Sequence, residues 1–313
     1  MDLTSPFLKY IKGREKLHQL ARAFDILLIS DCPPSAIARR RDQQFLLDSL
    51  SQPRKLFEPL SFTMGSYAPD ERSKAGRLPK RIKYDTELVH GIINETPILH
   101  VSFNAPLKEG PQFPTILPML GAVATYRSEE EPSIYLHGSS VARLFRLTNG
   151  SEIPLCVCGS MLDGYVLALA PFHNSCNYRA AVVYGYGSIV EDPVEVDFAL
   201  HLITNNSIPE RWENSRKPPT KAELQSTAVL KVRIETASAK VRAGGPSDEK
   251  TDLQNAEVVE KTWIGVVPTY LTLGAPIAGE FNRVERFPEY LDDWVQDVNS
   301  MNEQRAIDAV DES

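Results

Sequence analysis

From Ile98 onward, apolar and polar residues alternate in short runs broken by turn residues. Leu99, Val101 and Phe103 fall on one face of an extended segment, with His100 and Ser102 on the other, so Ile98 to Phe103 reads as a strand. Gly110-Pro111 turns the chain into a second strand, Phe113 to Leu120. A third, Ile134 to His137, stops at Gly138-Ser139-Ser140, where a helix is predicted to continue through Phe145. Ile153 to Gly159 and Tyr165 to Pro171 are predicted to form a hairpin about Asp163-Gly164. Arg179 to Val190 is a long Val- and Tyr-rich strand, in which Gly185 and Gly187 permit a bulge. Thr227 to Glu235 and Thr262 to Val267 supply the last strands.

Helical signals appear in four other places. Leu17, Leu20, Ala21 and Phe24, then Phe45, Leu46, Ser49 and Leu50, make residues 1–63 helical, with a break at Cys32-Pro33-Pro34-Ser35. Asp85-Thr86-Glu87 caps a short helix whose apolar face is Leu88, Val89, Ile92 and Ile93, and Pro97 closes it. Asp192-Pro193 opens a helix through Leu202, and Thr220 with Glu223 forms a capping box for another. Gly65 to Pro79, polar and rich in turn residues, reads as a linker. Short strands joined by turns, with helices only in the connections, favour an antiparallel barrel over a parallel sheet. The expected organisation is a helical extension and linker over 1–68, a barrel over 69–270, and a C-terminal tail with a short helix over 271–313.

Composition narrows the function. A net charge of -7 over 313 residues argues against a nucleic-acid surface, and Arg39-Arg40-Arg41 reads as a solvated helix face. No apolar run is long enough to cross a bilayer. Lys9, Lys12, Arg14 and Lys16 interrupt any signal-peptide core. Four cysteines in such a chain do not make a disulfide scaffold, so a reducing, cytoplasmic setting is expected. Cys156 and Cys158 share a strand face without a Cys or His pair at metal spacing, and read as small buried hydrophobes. Gly185-Tyr186-Gly187 lies within a strand rather than opening a helix, which counts against a dinucleotide fingerprint.

Two stretches carry candidate chemistry. A helix beginning at Gly138-Ser139-Ser140, with Arg143 one turn in, offers free backbone amides, two hydroxyls and a cation to a phosphate. The same residues also suit a plain helix cap. His173-Asn174-Ser175-Cys176-Asn177-Tyr178-Arg179 is unusually polar for the start of a buried strand and needs partners, from a ligand or from a loop over the barrel mouth.

In this order, Tyr135-Leu136-His137-Gly138-Ser139 with Arg143, Phe172-His173 with Asn177-Tyr178-Arg179, Ser238-Ala239-Lys240-Val241-Arg242, and Trp263 with Gly265-Val266-Val267-Pro268 resemble the flavin-nucleotide-binding proteins of the pyridoxamine 5'-phosphate oxidase-like class. The resemblance covers roughly Leu78 to Tyr270. It implies an FMN-binding split β-barrel, a homodimer with flavin sites between subunits, and an FMN-dependent oxidoreductase acting on a small molecule. In that light His137, Ser139, Ser140, Arg143, Asn177, Arg179, Lys240, Arg242 and Trp263 are expected to bind the cofactor. His173 and Tyr178 are the expected proton-transfer groups. The chain departs from the family at Asn174, where a second His is usual, and at Ala180, where a Ser is usual. Those departures leave room for the alternative of a split-barrel protein without redox turnover.

Overall fold

The computed structural model describes residues 65–74, 76, 78–106, 109–111, 113–148 and 150–311. The helical extension expected over 1–63 lies outside the described residues. The described residues hold nine strands: β1 (Ile82–Lys83), β2 (Leu99–Asn104), β3 (Pro114–Met119), β4 (Gly121–Ala124), β5 (Ser133–Ser139), β6 (Ile153–Leu167), β7 (Ser175–Ile189), β8 (Thr227–Arg242) and β9 (Gly265–Pro268). Every pairing is antiparallel, in the order β3-β2-β6-β7-β8-β5-β4, with β1 added to β8 and β9 to β6. The hydrogen-bonded ladder is open, since β3 and β4 are its two edges. Yet only Leu120 separates β3 from β4 in the chain. The sheet must therefore curl until its edges approach, which gives the split barrel expected from the sequence.

Alternation fills the interior. Leu99, Val101, Phe103, Leu155, Val157, Ala181, Val183, Leu230 and Val232 are buried in the main core. Helix α1 (Thr86–Glu95) adds Val89, Ile92 and Ile93 to it, and its cap is the Asp85 carboxylate accepting from Leu88 N–H. The bulge expected in β7 lies at Tyr184/Gly185 opposite β8, where a Cβ on residue 185 would collide with the Arg233 carbonyl. Helix α3 (Pro193–Ser207), capped by Asp192, buries Ala199 and Ile203 against Tyr135 and Val229 on the outside of the barrel. The remaining helices are α2 (Arg143–Leu147), α4 (Lys221–Ser226), α5 (Lys250–Leu253), α6 (Ala256–Lys261) and α7 (Glu289–Asp311). The capping box expected at Thr220 and Glu223 forms in full at α4.

Four local expectations need correction. The Asp163-Gly164 hairpin does not form, because β6 runs straight through these residues with a bulge between Leu162 and Gly164. Asp163 is buried and neutralised by Arg179, while Gly164 lies against β9, so both residues serve a bend rather than a reversal. The helix expected from Gly138 starts only at Arg143, because β5 continues pairing with β8 as far as Ser139↔Thr227. Ser238 to Arg242, expected beyond the end of a strand, instead form the last residues of β8. The short helix of the tail is the 23-residue α7, which packs on β6 and β9. Its Leu291, Trp294, Val295, Val298, Arg305 and Ala306 follow helical spacing.

The described part of the expected linker lies against the barrel. The Tyr67 hydroxyl meets His90 Nε2 at 2.6 Å, and Thr236 Oγ1 donates to the Ala68 carbonyl. Among the described residues no helix is long and apolar enough to cross a membrane.

Candidate functional site

The register of β8 decides which candidate residues can meet. β5 pairs only with its first half, so His137 stands opposite Val229. The start of β7 pairs with its last turns, so Tyr178 stands opposite Arg242 and Ala180 opposite Lys240. Val229 and Lys240 are eleven residues apart on one strand, about 35 Å at roughly 3.3 Å per residue. His137, Ser139, Ser140 and Arg143 therefore gather at one end of the barrel. His173, Asn177, Tyr178, Arg179, Lys240, Arg242 and Trp263 gather at the other.

At the first end, Gly138 is required because a Cβ there would sit 2.7 Å from the Phe145 ring. The strand ladder uses the backbone of His137, Gly138 and Ser139, which are thus not the free amides of a helix start. Ser140 N–H donates to the Ser226 carbonyl and its hydroxyl to Gln225. Arg143 Nη2 donates to the carbonyls of Ala105 and Pro106 at 3.1 and 3.0 Å, and the residue is otherwise exposed. His137 is half-buried, with Nδ1 buried and unpartnered among the described residues. Burial holds it below its ordinary value, with the backbone of His137 and Leu120 pulling the other way, so it is a neutral imidazole at pH 7. It lines a cavity of about 310 Å³ together with Trp212 and Leu224.

The second end is crowded with charge. Asn177 is fully buried, accepts from Arg242 Nη1 and donates to the Ala309 carbonyl of α7. Arg179 grips the Asp163 carboxylate with Nε and Nη2, and Glu95 with Nη1 at 2.7 Å. Arg305 of α7 takes the other Glu95 oxygen at 2.6 Å. A cavity of about 240 Å³ lies among these groups. Arg242 is buried, held by Asn177 and the Gly244 and Gly245 carbonyls, with Nε unpartnered. Burial lowers its pKa, and Arg81 adds to that. Asn177 is thus engaged with Arg242 and α7, and Arg179 with Asp163 and with the Glu95 that Arg305 of α7 shares. The signal for this was the polar start of β7, but its partners Glu95 and Arg305 lie 84 and 210 residues apart from Arg179 and one another in sequence.

Tyr178 and Lys240 face outward together, with the ammonium 5.8 Å from the ring centroid. The same outer face carries Cys156, Cys158, Val182, Tyr184 and Ser238, all half-exposed and in register across β6, β7 and β8. Burial raises both thiol pKa values, so these cysteines are not poised as nucleophiles. His173 ends a short 3₁₀ turn; its Nδ1 is buried without a partner and its Nε2 is 4.0 Å from Glu249. Asn174 Oδ1 accepts from Ala168 N–H, which ties the loop down. Trp263 is 65% exposed, with its indole over Gly265. Among the described residues no group of three His, Cys, Asp or Glu could hold a metal ion.

The family model for pyridoxamine 5'-phosphate oxidase matches residues 85–241, half of the chain. Among solved structures, the flavocytochrome Anf3 from Azotobacter vinelandii is 29% identical with a TM-score of 0.59, over 72% of this chain and 98% of that one. The FAD and haem binding protein from Mycobacterium smegmatis is 24% identical with a TM-score of 0.57, over 69% of this chain and 97% of that one. No curated protein matches the sequence.

Proposed function

Because the chain belongs to the pyridoxamine 5'-phosphate oxidase family, we propose that it is an FMN-dependent oxidoreductase, acting on a small organic molecule, whose flavin sites form between two copies of the chain. The separation along β8 is the observation that carries this reading. Two sets of candidate residues about 35 Å apart in one chain cannot line a single flavin site, whereas a two-fold dimer can set one end beside the partner's other end. The names of the two similar structures, a flavocytochrome and a FAD and haem binding protein, support a flavin.

In this reading Ser139, Ser140 and Arg143 hold the phosphate. Arg143 uses only Nη2 on its present carbonyl partners, which leaves the rest of its guanidinium for the anion. Tyr178, Lys240 and Trp263 offer two exposed or half-exposed rings and a cation on the opposite side. Asn177, Arg179 and Arg242 shape that side from beneath. The flavin supplies the hydride or electron transfer. His173, half-buried at the entry to β7, is the proton-transfer group in this reading.

A second reading, flavin binding without redox turnover, is favoured by Asn174. Its side chain serves the loop rather than a proton path, and Ala180 beside Lys240 donates nothing. Purified protein titrated with FMN should bind one flavin per chain and behave as a dimer by light scattering. Reduction of the bound flavin by a nicotinamide or dithionite, followed by reoxidation with substrate, separates oxidoreductase from binding protein. His173→Ala should retain flavin and lose turnover. A monomer that takes up no flavin refutes the proposal.

A further inference from the structure

Between β9 and α7 the chain runs from Thr269 to Pro288 without a helix or a strand. Both ends of this stretch are fixed. Leu273 N–H donates to Asn299 Oδ1 of α7 at 2.6 Å, its carbonyl accepts from Asn299 Nδ2 at 3.0 Å, and Asn302 donates to the Leu271 carbonyl. At the far end the Tyr290 hydroxyl accepts from Arg211 Nη1. Asn299 and Tyr290 are about 14 Å apart along α7, at roughly 1.5 Å per residue. The chain from Gly274 to Phe287 is far longer than that gap requires. At roughly 3.3 Å per residue it can reach about 20 Å beyond the helix and return.

The character of this arm is apolar. Every residue from Gly274 to Phe287 is exposed, and Ile277 and Phe281 are 95% and 82% exposed, with Val284 and Phe287 close by in sequence. Among the described residues, its hydrogen bonds close one local turn over 279–284. The arm leads into the first turns of α7, where Leu291, Trp294, Val295 and Val298 are only half-buried. Single exposed apolar residues are ordinary on a surface, but a cluster on a long irregular loop marks a contact site.

Three features select a second copy of this chain as the occupant. The chain carries a net charge of -7, so two copies repel over much of their surface, whereas in the arm Glu280 and Glu285 are balanced by Arg283 and Arg286. An isoleucine and two phenylalanines at these exposures offer several hundred Å² per arm, so two arms and the surfaces they cover reach the roughly 1,600 Å² of a standard interface. The arm also follows directly from β9, beside Trp263, at the end of the barrel that a shared flavin site sets against the partner. We propose that residues 274–287 are an exchanged arm. Each copy lays Ile277, Phe281 and Val284 on its partner, and the two arms hold the dimer together. This rests on the two-copy arrangement of the flavin reading and not on the flavin itself.

Sedimentation equilibrium of the full chain without flavin tests the arm. The intact protein should be a dimer, and Ile277→Asp combined with Phe281→Asp should weaken it by about a hundredfold or more. Both side chains are exposed, so circular dichroism of the variant should match that of the intact protein. Ile277→benzoylphenylalanine, irradiated in the purified protein, should give a covalent product of twice the chain mass. A dimer that needs the arm yet takes up no FMN upholds this inference and refutes the flavin reading alone. A dimer of unchanged affinity in the double variant, or a crosslink confined to a single chain, overturns the arm and leaves the shared flavin site standing. A monomeric intact protein overturns both.

Discussion

Arg143→Ala and Lys240→Ala disable opposite ends of the barrel, and together they test whether a flavin site is shared between chains. Each removes one charge-assisted contact, a loss of about 1.5–3 kcal/mol, or roughly tenfold to hundredfold in affinity. Either homodimer carries the same lesion in both sites and binds FMN weakly. A mixed dimer does not. Because Arg143 follows β5 at one end of the barrel and Lys240 lies at the other end of β8, a shared site takes one residue from each subunit. One site of the mixed dimer then carries both lesions and the other carries neither. Unfolding and refolding an equal mixture makes half of the dimers mixed, so about one quarter of all sites should regain full affinity under two-fold symmetry. Fluorescence titration with FMN should resolve this fraction as a tight phase absent from either variant alone. If the mixture binds as the plain average of the two variants, each site lies within one chain and the shared-site reasoning fails.

Two further predictions concern the scaffold. Burial holds His90 at about 4, against an ordinary 6.5, with Asp85 opposing. The unfolded chain therefore takes up this proton first, and the stabilisation present above pH 6.5 is lost as the pH falls towards 4, by about 2 kcal/mol at pH 5. His90→Gln keeps an acceptor for Tyr67 but cannot titrate, so its urea-melt stability should fall that much less between pH 7 and pH 5; parallel pH dependences would refute the assignment. Asp163→Ala strands a half-buried guanidinium that keeps only Glu95, and should cost about 3 kcal/mol in urea melts. Pairing it with Arg179→Met should restore part of that loss, and a cost below about 1 kcal/mol for the single change would show the network to be dispensable.

The sequence determined the features that a few neighbouring residues can settle. Asp85, Asp192 and Thr220 mark helix starts because their side chains reach amides two or three residues on. Leu99, Val101 and Phe103 face the core because strand side chains alternate. Gly185 permits the bulge at a place where a Cβ finds no room. The motif order around His137, Tyr178, Arg242 and Trp263 was likewise enough to place the chain in its family. The tertiary structure decided the rest. Asp163-Gly164 carries a strong turn signal, yet Arg179 sixteen residues away and β9 a hundred residues away hold it extended. Gly138-Ser139 has the composition of a helix start, yet pairing with Thr227 and Ala228 keeps it in a strand. The division of the candidate site between two ends was also invisible in the chain, because it follows from the register of β5 and β7 on β8. Register is set by long-range hydrogen bonds and by which faces the core must bury, and neither is written at the residues it moves apart.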